Sequence, residues 1–228
     1  MSETGGRASA DRLARIFYEF CAAAGAVVLV MTVLLAFDAF ELKGPVATLF
    51  RALIFRLGIV APVGLFAVIV LVAALRGGGR SPRFEACRRF AESPWVVRGL
   101  CVSAALAFLA TEIGKLAHQP EMREFFVGSG YAVWFLYVVI AVETVGAVGL
   151  LVPTVRTVAA CGLALIMVGA IVTHARNGDP FSDSYEAAHL LLILLCIVTL
   201  SVLQDRANPV IPRSQRRGIR DSTSRGAS

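Results

Sequence analysis

Residues 131–152, YAVWFLYVVIAVETVGAVGLLV, are apolar almost throughout, and Glu143 is the one charged side chain among them. A helix needs about 20 mainly apolar residues to cross the hydrocarbon core of a bilayer. Glu143 follows Tyr131 by twelve residues, which places it about 18 Å further along a helix. The stretch therefore predicts a membrane-spanning helix with a carboxylate deep inside it, where an ionisable group is costly and points to function.

The rest of the chain repeats this alternation of long apolar stretches and short polar ones. Of its 228 residues, 57% are hydrophobic and 17% are charged, whereas a soluble domain has about 25% charged residues. Six stretches are long enough to span a bilayer, namely 20–37, 53–75, 95–118, 131–152, 155–174 and 185–203. The sequence therefore predicts an all-α membrane protein that folds as a six-transmembrane-helix bundle.

The basic residues predict the orientation of this bundle. Sixteen Lys and Arg residues fall in the N-terminal tail, the 76–98 segment, the 154–156 turn and the C-terminal tail, whereas four fall in the alternate segments. Cytoplasmic loops are enriched in Lys and Arg, so both termini are predicted to be cytoplasmic (N-in/C-in). Basic loops at the bilayer surface explain the net charge of +6, and nucleic acid is not predicted as a partner.

Changes in composition divide the chain into five segments. A polar tail is predicted for 1–16, two N-terminal spans for 17–75 and a basic cytoplasmic loop for 76–94. Four spans form a core over 95–205, and a basic, disordered tail is predicted for 206–228.

Small residues within the core predict places where helices approach closely. Gly146 and Gly149 lie in one span, and Gly162 and Gly169 lie seven residues apart on one face of the next. Helices in lipid associate through such close packing, although glycine is also common in membrane helices for no such reason.

Three ionisable residues lie inside the core spans. Glu112 and Lys115 are three residues apart on one helix and can pair, while Glu143 needs a partner or a proton at its depth. We interpret Glu143, Lys115 and Glu112 as candidate catalytic residues. For Lys115 a second interpretation stays open, in which the side chain only extends to the membrane surface.

All three histidines fall at the predicted outer ends of spans that are distant in sequence. We interpret His118, His174 and His189 as candidate ligand-binding residues, because ionisable clusters are enriched at functional sites. A location at the membrane interface alone would also explain His118 and His174. Glu186 follows Asp183 by three residues at the start of a span, so we interpret it as part of a helix N-terminal cap.

The sequence gives little support for a metal-binding site or for a redox-active pair of cysteines. Glu186-x-x-His189 has the spacing found in di-iron bundles, but those need a second such pair and two further Glu residues, and the chain has no second pair. None of the five cysteines forms a Cys-x-x-Cys motif. No metal site is therefore predicted.

From Arg98 onward the chain resembles the DoxX-like family of small bacterial membrane proteins. Short motifs carry the resemblance: Arg98-Gly99-Leu100, Gly114-Lys115-Leu116, Gly130-Tyr131, ETVGAVGLLVP at 143–153 and VGAIVTH at 168–174. It covers about 95–205 and implies a four-helix core, to which this chain adds two N-terminal helices. The chain also has Ala132 where a Pro often follows the Tyr in the family.

The resemblance implies a redox setting, since DoxX-like proteins are linked to quinone-dependent sulfur oxidation and to thiol stress. Lys115 and Glu143, and less surely His174, are the residues that carry over. Quinone is the ligand this implies, and an enzymatic role would be that of a quinone-linked oxidoreductase subunit.

Three functions stay open at this point. The first is a redox component that binds a quinone or a similar lipophilic molecule. The second is a non-catalytic scaffold that anchors a soluble redox partner, and the third is a proton-coupled transporter. Besides the lipid bilayer, the partner is then a soluble redox protein or a second copy of the chain.

Overall fold

The computed structural model describes residues 3–36, 82–91 and 93–207, and the regular structure in these ranges is α-helical. The helices are α1 (Glu3–Ala36), α2 (Pro82–Ala91), α3 (Pro94–Ala117), α4 (Gln119–Gly128), α5 (Val133–Leu151), α6 (Arg156–Asn177) and α7 (Phe181–Ala207). Five of them contain a segment long and apolar enough to cross a membrane: Ala8–Leu34, Pro94–Ala117, Val133–Leu151, Arg156–Asn177 and Phe181–Gln204.

The protein is thus an all-α, multi-pass membrane protein, which confirms the predicted fold class. The predicted span 53–75 and nearly all of the predicted C-terminal tail lie outside the described residues. The count of six spans and the N-in/C-in orientation stay predictions.

Helix α3 lies at the centre of the bundle. In its most apolar window 67% of the residues are buried, against 22–33% in the other four spans. The buried face of α3 is rich in small residues, and α1 packs along it more extensively than any other pair of described helices pack together. A Cβ atom on Gly99 would lie 3.2 Å from the Cα atom of Tyr18, so glycine lets the two backbones approach closely.

The N-terminal region differs from the prediction, because α1 is already helical at Glu3 within the predicted tail 1–16. Ala10, Ala14 and Phe17 are buried on one side of this segment, at the 3- and 4-residue spacing of a helix face. Packing against the bundle therefore supports a helix where polar composition alone predicted none.

Two further helices lie outside the predicted spans. In α2, within the predicted loop 76–94, Glu85 accepts hydrogen bonds from Arg88 (2.8 Å) and Arg89 (3.2 Å). The bond from Arg88 lowers the pKa of the Glu85 carboxyl. Phe90 of α2 packs edge-on against Phe17, with 5.8 Å between ring centroids. The other helix, α4, follows a break at His118 and lies on the predicted outer side.

The glycines of α5 and α6 have different surroundings. A Cβ atom on Gly146 would lie 2.6 Å from Cδ2 and 2.7 Å from Cγ of the buried Leu163, and one on Gly149 would lie 2.9 Å from Cβ of Ala159. Gly162 and Gly169 have no atom of the described residues within 4 Å of that position. The prediction of close packing thus fits α5, whereas at the two glycines of α6 no helix of the described residues approaches closely.

We expect Gly146→Ala to destabilise the bundle, because the new methyl group overlaps a buried leucine that has no room to move. Overpacking of this kind costs about 1–3 kcal/mol. Thermal unfolding in detergent would show a lower melting temperature. Gly162→Ala is the matched control and should leave the melting temperature unchanged or raise it slightly, since alanine favours a helix. Equal melting temperatures for the two variants would contradict the close packing of α5 on α6.

Candidate functional site

The candidate site is built around Lys115, which joins two carboxylates. Its ammonium Nζ donates a hydrogen bond to Oε1 of Glu112 (2.8 Å) and another to Oε2 of Glu143. The side chains of Glu112 and Glu143 are only 5% and 3% exposed, and that of Lys115 is 21% exposed. One cation is therefore shared by two buried carboxylates, an arrangement we call the Lys115 bridge.

The bridge follows from helix geometry and from the packing of α3 on α5. Glu112 lies one turn before Lys115 on α3, as the spacing predicted. Glu143 comes from α5, a neighbour of α3. The Lys115 side chain is thus held inside the bundle by Glu143, so the alternative in which it only extends to the membrane surface does not describe its position.

One atom of the bridge has no hydrogen bond. Oε2 of Glu112 is buried and finds no hydrogen-bond partner among the described residues. Buried polar atoms are normally satisfied, and exceptions concentrate where a proton, water or ligand takes part in function. This oxygen is a position at which a proton can bind.

The bridge faces a cavity of about 710 Å³ enclosed by parts of α1 and α3 to α7. Pockets for small molecules have volumes of about 300–1,000 Å³. The polar side chains that line it include Lys115, Glu143, His118, His174, Asp183 and Glu186. The cavity is lined by the C-terminal ends of α1, α3 and α6 and by the N-terminal ends of α5 and α7. These helix ends lie in the predicted outer half of the membrane.

Aromatic side chains form one wall of this cavity. Phe126 of α4 lies 6.0 Å from Tyr131 and 6.3 Å from Phe135, measured between ring centroids, and Tyr131 lies 5.3 Å from Phe135. Rings at such distances and tilts attract one another. The cavity therefore combines an aromatic wall with a charged group at its polar end.

Two of the three predicted histidines line the cavity. Nδ1 of His118 lies 3.1 Å from the carbonyl oxygen of Gly114. Nδ1 of His174 lies 2.8 Å from Oδ2 of Asp179, and its ring is 5.0 Å from that of Phe125. His189 does not line the cavity; its Nδ1 is 2.8 Å from the carbonyl oxygen of Tyr185 in the preceding turn.

The sequence interpretation did not include several residues of the site. Glu186, interpreted as a helix cap, lines the cavity and lies close enough to Lys115 for an electrostatic interaction. Phe125 and Phe126 come from α4, which was not predicted as a helix. The pair of adjacent phenylalanines in an otherwise polar segment was the available signal for them. Among the described residues, no group of three His, Cys, Asp or Glu side chains is placed to hold a metal ion.

Comparison with known proteins gives one family match. Residues 99–199 match the DoxX-like family, as the sequence resemblance predicted. No curated protein and no solved structure matches the chain. The matched region contains the whole Lys115 bridge, both cavity histidines and Glu186, whereas α1 and α2 precede it.

We expect Lys115→Met to destabilise the protein, because it leaves two carboxylates buried without their cation. Removing one partner of a buried ion pair typically costs about 3–5 kcal/mol. The melting temperature in detergent would fall markedly. The triple variant Lys115→Met, Glu112→Gln, Glu143→Gln removes all three charges and should recover much of the loss. A melting temperature of Lys115→Met equal to that of the wild type would show that the bridge does not stabilise the fold.

Proposed function

We propose that this DoxX-like integral membrane protein is a redox-associated component that binds a quinone or a similar lipophilic molecule in the cavity beside the Lys115 bridge. The observation that carries the proposal is the combination of an aromatic wall and a buried Lys–Glu group in one cavity among membrane spans. The redox setting comes from the resemblance to the family.

The cavity suits a flat ring with polar substituents. Ring faces can stack on Phe126, Tyr131 and Phe135, as aromatic pairs do. Oxygen atoms of the head group can hydrogen-bond with Lys115 and Glu143 at the polar end. An apolar tail can extend between the spans into lipid, because the outer faces of α5 and α6 are apolar and exposed.

Glu143 and Lys115 have a defined chemical part in this proposal. A quinone takes up two electrons and two protons when a redox partner reduces it to the hydroquinone, and the hydroquinone releases them when it is oxidised. The Lys115 bridge has one cation and two carboxylates. It can exchange one proton at a time with the head group, and its net charge then changes by one unit. Glu112, the carboxylate of the bridge that does not line the cavity, can take or return that proton.

The test is mass spectrometry of lipophilic molecules that co-purify with the detergent-solubilised protein. We expect a quinone to be enriched with the wild type and lost, by about tenfold or more, from Glu143→Gln, because the amide cannot form the charged hydrogen bond to Lys115. The matched control is Glu121→Gln, an exposed position on α4 that does not line the cavity.

The outcomes separate the remaining functions. A quinone retained in full by Glu143→Gln would remove the central residue from the proposal. No enriched molecule in any sample would instead favour a scaffold for a soluble partner, whose binding would then depend on the basic segments and tolerate changes in the cavity.

A further inference from the structure

The hydrogen-bond partners of the cavity histidines determine which of their nitrogen atoms can bind a ligand. A carbonyl oxygen and a carboxylate can only accept hydrogen bonds. The Nδ1 atom that faces Gly114 O in His118, and the one that faces Asp179 in His174, must therefore carry the proton. In the neutral ring, Nε2 of each histidine is then a hydrogen-bond acceptor.

Among the described residues that line the cavity, the hydroxyl groups have no proton left for a ligand. Thr32 donates to Val28 O (2.8 Å) and Thr111 donates to Phe108 O (2.8 Å). Thr173 donates to Gly169 O (2.9 Å), and Tyr131 OH lies 3.0 Å from Thr173 Oγ1. Because the single Thr173 proton points to the carbonyl, Tyr131 is the donor in that contact. The hydroxyl oxygens can only accept a further bond.

The carboxylates add more acceptors. Within the described part of the chain, Glu186 accepts no hydrogen bond, and Asp183 accepts one, from Ser182 (3.0 Å). Lys115 has three N–H groups, of which two are directed to Glu112 and Glu143. Its third N–H is the donor that remains among the described side chains lining the cavity.

From this imbalance we infer that the cavity selects a head group that donates hydrogen bonds, and hence that it binds a hydroquinone in preference to the corresponding quinone. The inference rests on the proposed function. A quinone carbonyl can accept a hydrogen bond from Lys115, but its lone pairs then face the acceptor atoms of Glu186 and of the histidine Nε2 positions, which repel them. A hydroquinone hydroxyl accepts from Lys115 and also donates to one of these acceptors, so fewer buried groups are left unpaired.

The experiment compares three probes of one shape: a short-tailed benzoquinone, its hydroquinone, and the dimethyl ether of that hydroquinone. Titration calorimetry uses the full chain in lipid nanodiscs, without oxygen, at about pH 8, where free imidazole is neutral. We expect the hydroquinone to bind about tenfold more tightly than the quinone, which corresponds to about 1.4 kcal/mol. The ether keeps the ring but has no donor, so it should bind no better than the quinone.

Glu186→Gln tests the residue that the argument depends on most. In glutamine an NH2 donor replaces one carboxylate oxygen, and the remaining oxygen is an uncharged and therefore weaker acceptor. The preference for hydroquinone should then fall to about threefold or less. Glu121→Gln is the control, at an exposed position outside the cavity, and should keep the wild-type preference. A melting curve like that of the wild type establishes that each variant is folded.

The wild-type comparison alone is decisive, even if Glu186→Gln does not fold. Quinone and hydroquinone binding with equal affinity, or quinone binding more tightly, would overturn the inference and leave the proposed function standing. If neither form binds, the proposed function itself fails.

Discussion

The cost of placing charge inside a membrane is the constraint on which the rest of this structure depends. Glu143 is a carboxylate near the middle of an apolar span, and such a group persists only with a proton or a cation beside it. Lys115 supplies the cation and shares it with Glu112 on its own helix. The bridge therefore fixes the rotation of α3 relative to α5, and the polar end of the cavity is positioned by the same interaction.

The faces of the helices that point outward differ in composition from those that point to the cavity. Residues such as Val145, Val158 and Leu165 are more than 70% exposed, so α5 and α6 present apolar faces to lipid. The aromatic rings of α4 and α5 are instead turned toward the cavity. Because lipid and a lipophilic ligand are equally apolar, burial of apolar area cannot discriminate between them. In the proposed function, selectivity for a ligand over lipid would therefore come from the polar side chains that line the cavity.

Much of this could be predicted from the sequence, and the failures have physical causes. The Glu112–Lys115 pair could be predicted from the spacing of the two residues on one helix. The contact of Lys115 with Glu143 could not, because it depends on which helices are neighbours. Glu186 and His189 are three positions apart, about 60° around a helix, so one can face the cavity while the other bonds to its own backbone. The helix α4 was missed because its ten residues are too few to span a membrane and include only four large apolar side chains.

Helix α1, which precedes the matched family region, lines part of the cavity. Val28, Met31 and Thr32 of α1 line it, although α1 precedes residues 99–199. None of these three takes part in the Lys115 bridge, which lies wholly between α3 and α5. The shape of the apolar wall can therefore change through α1 while the charged end stays the same. The side chains of the Lys115 bridge thus lie within the residues that match the DoxX-like family, and the size and shape of the cavity are set partly by a helix that precedes those residues.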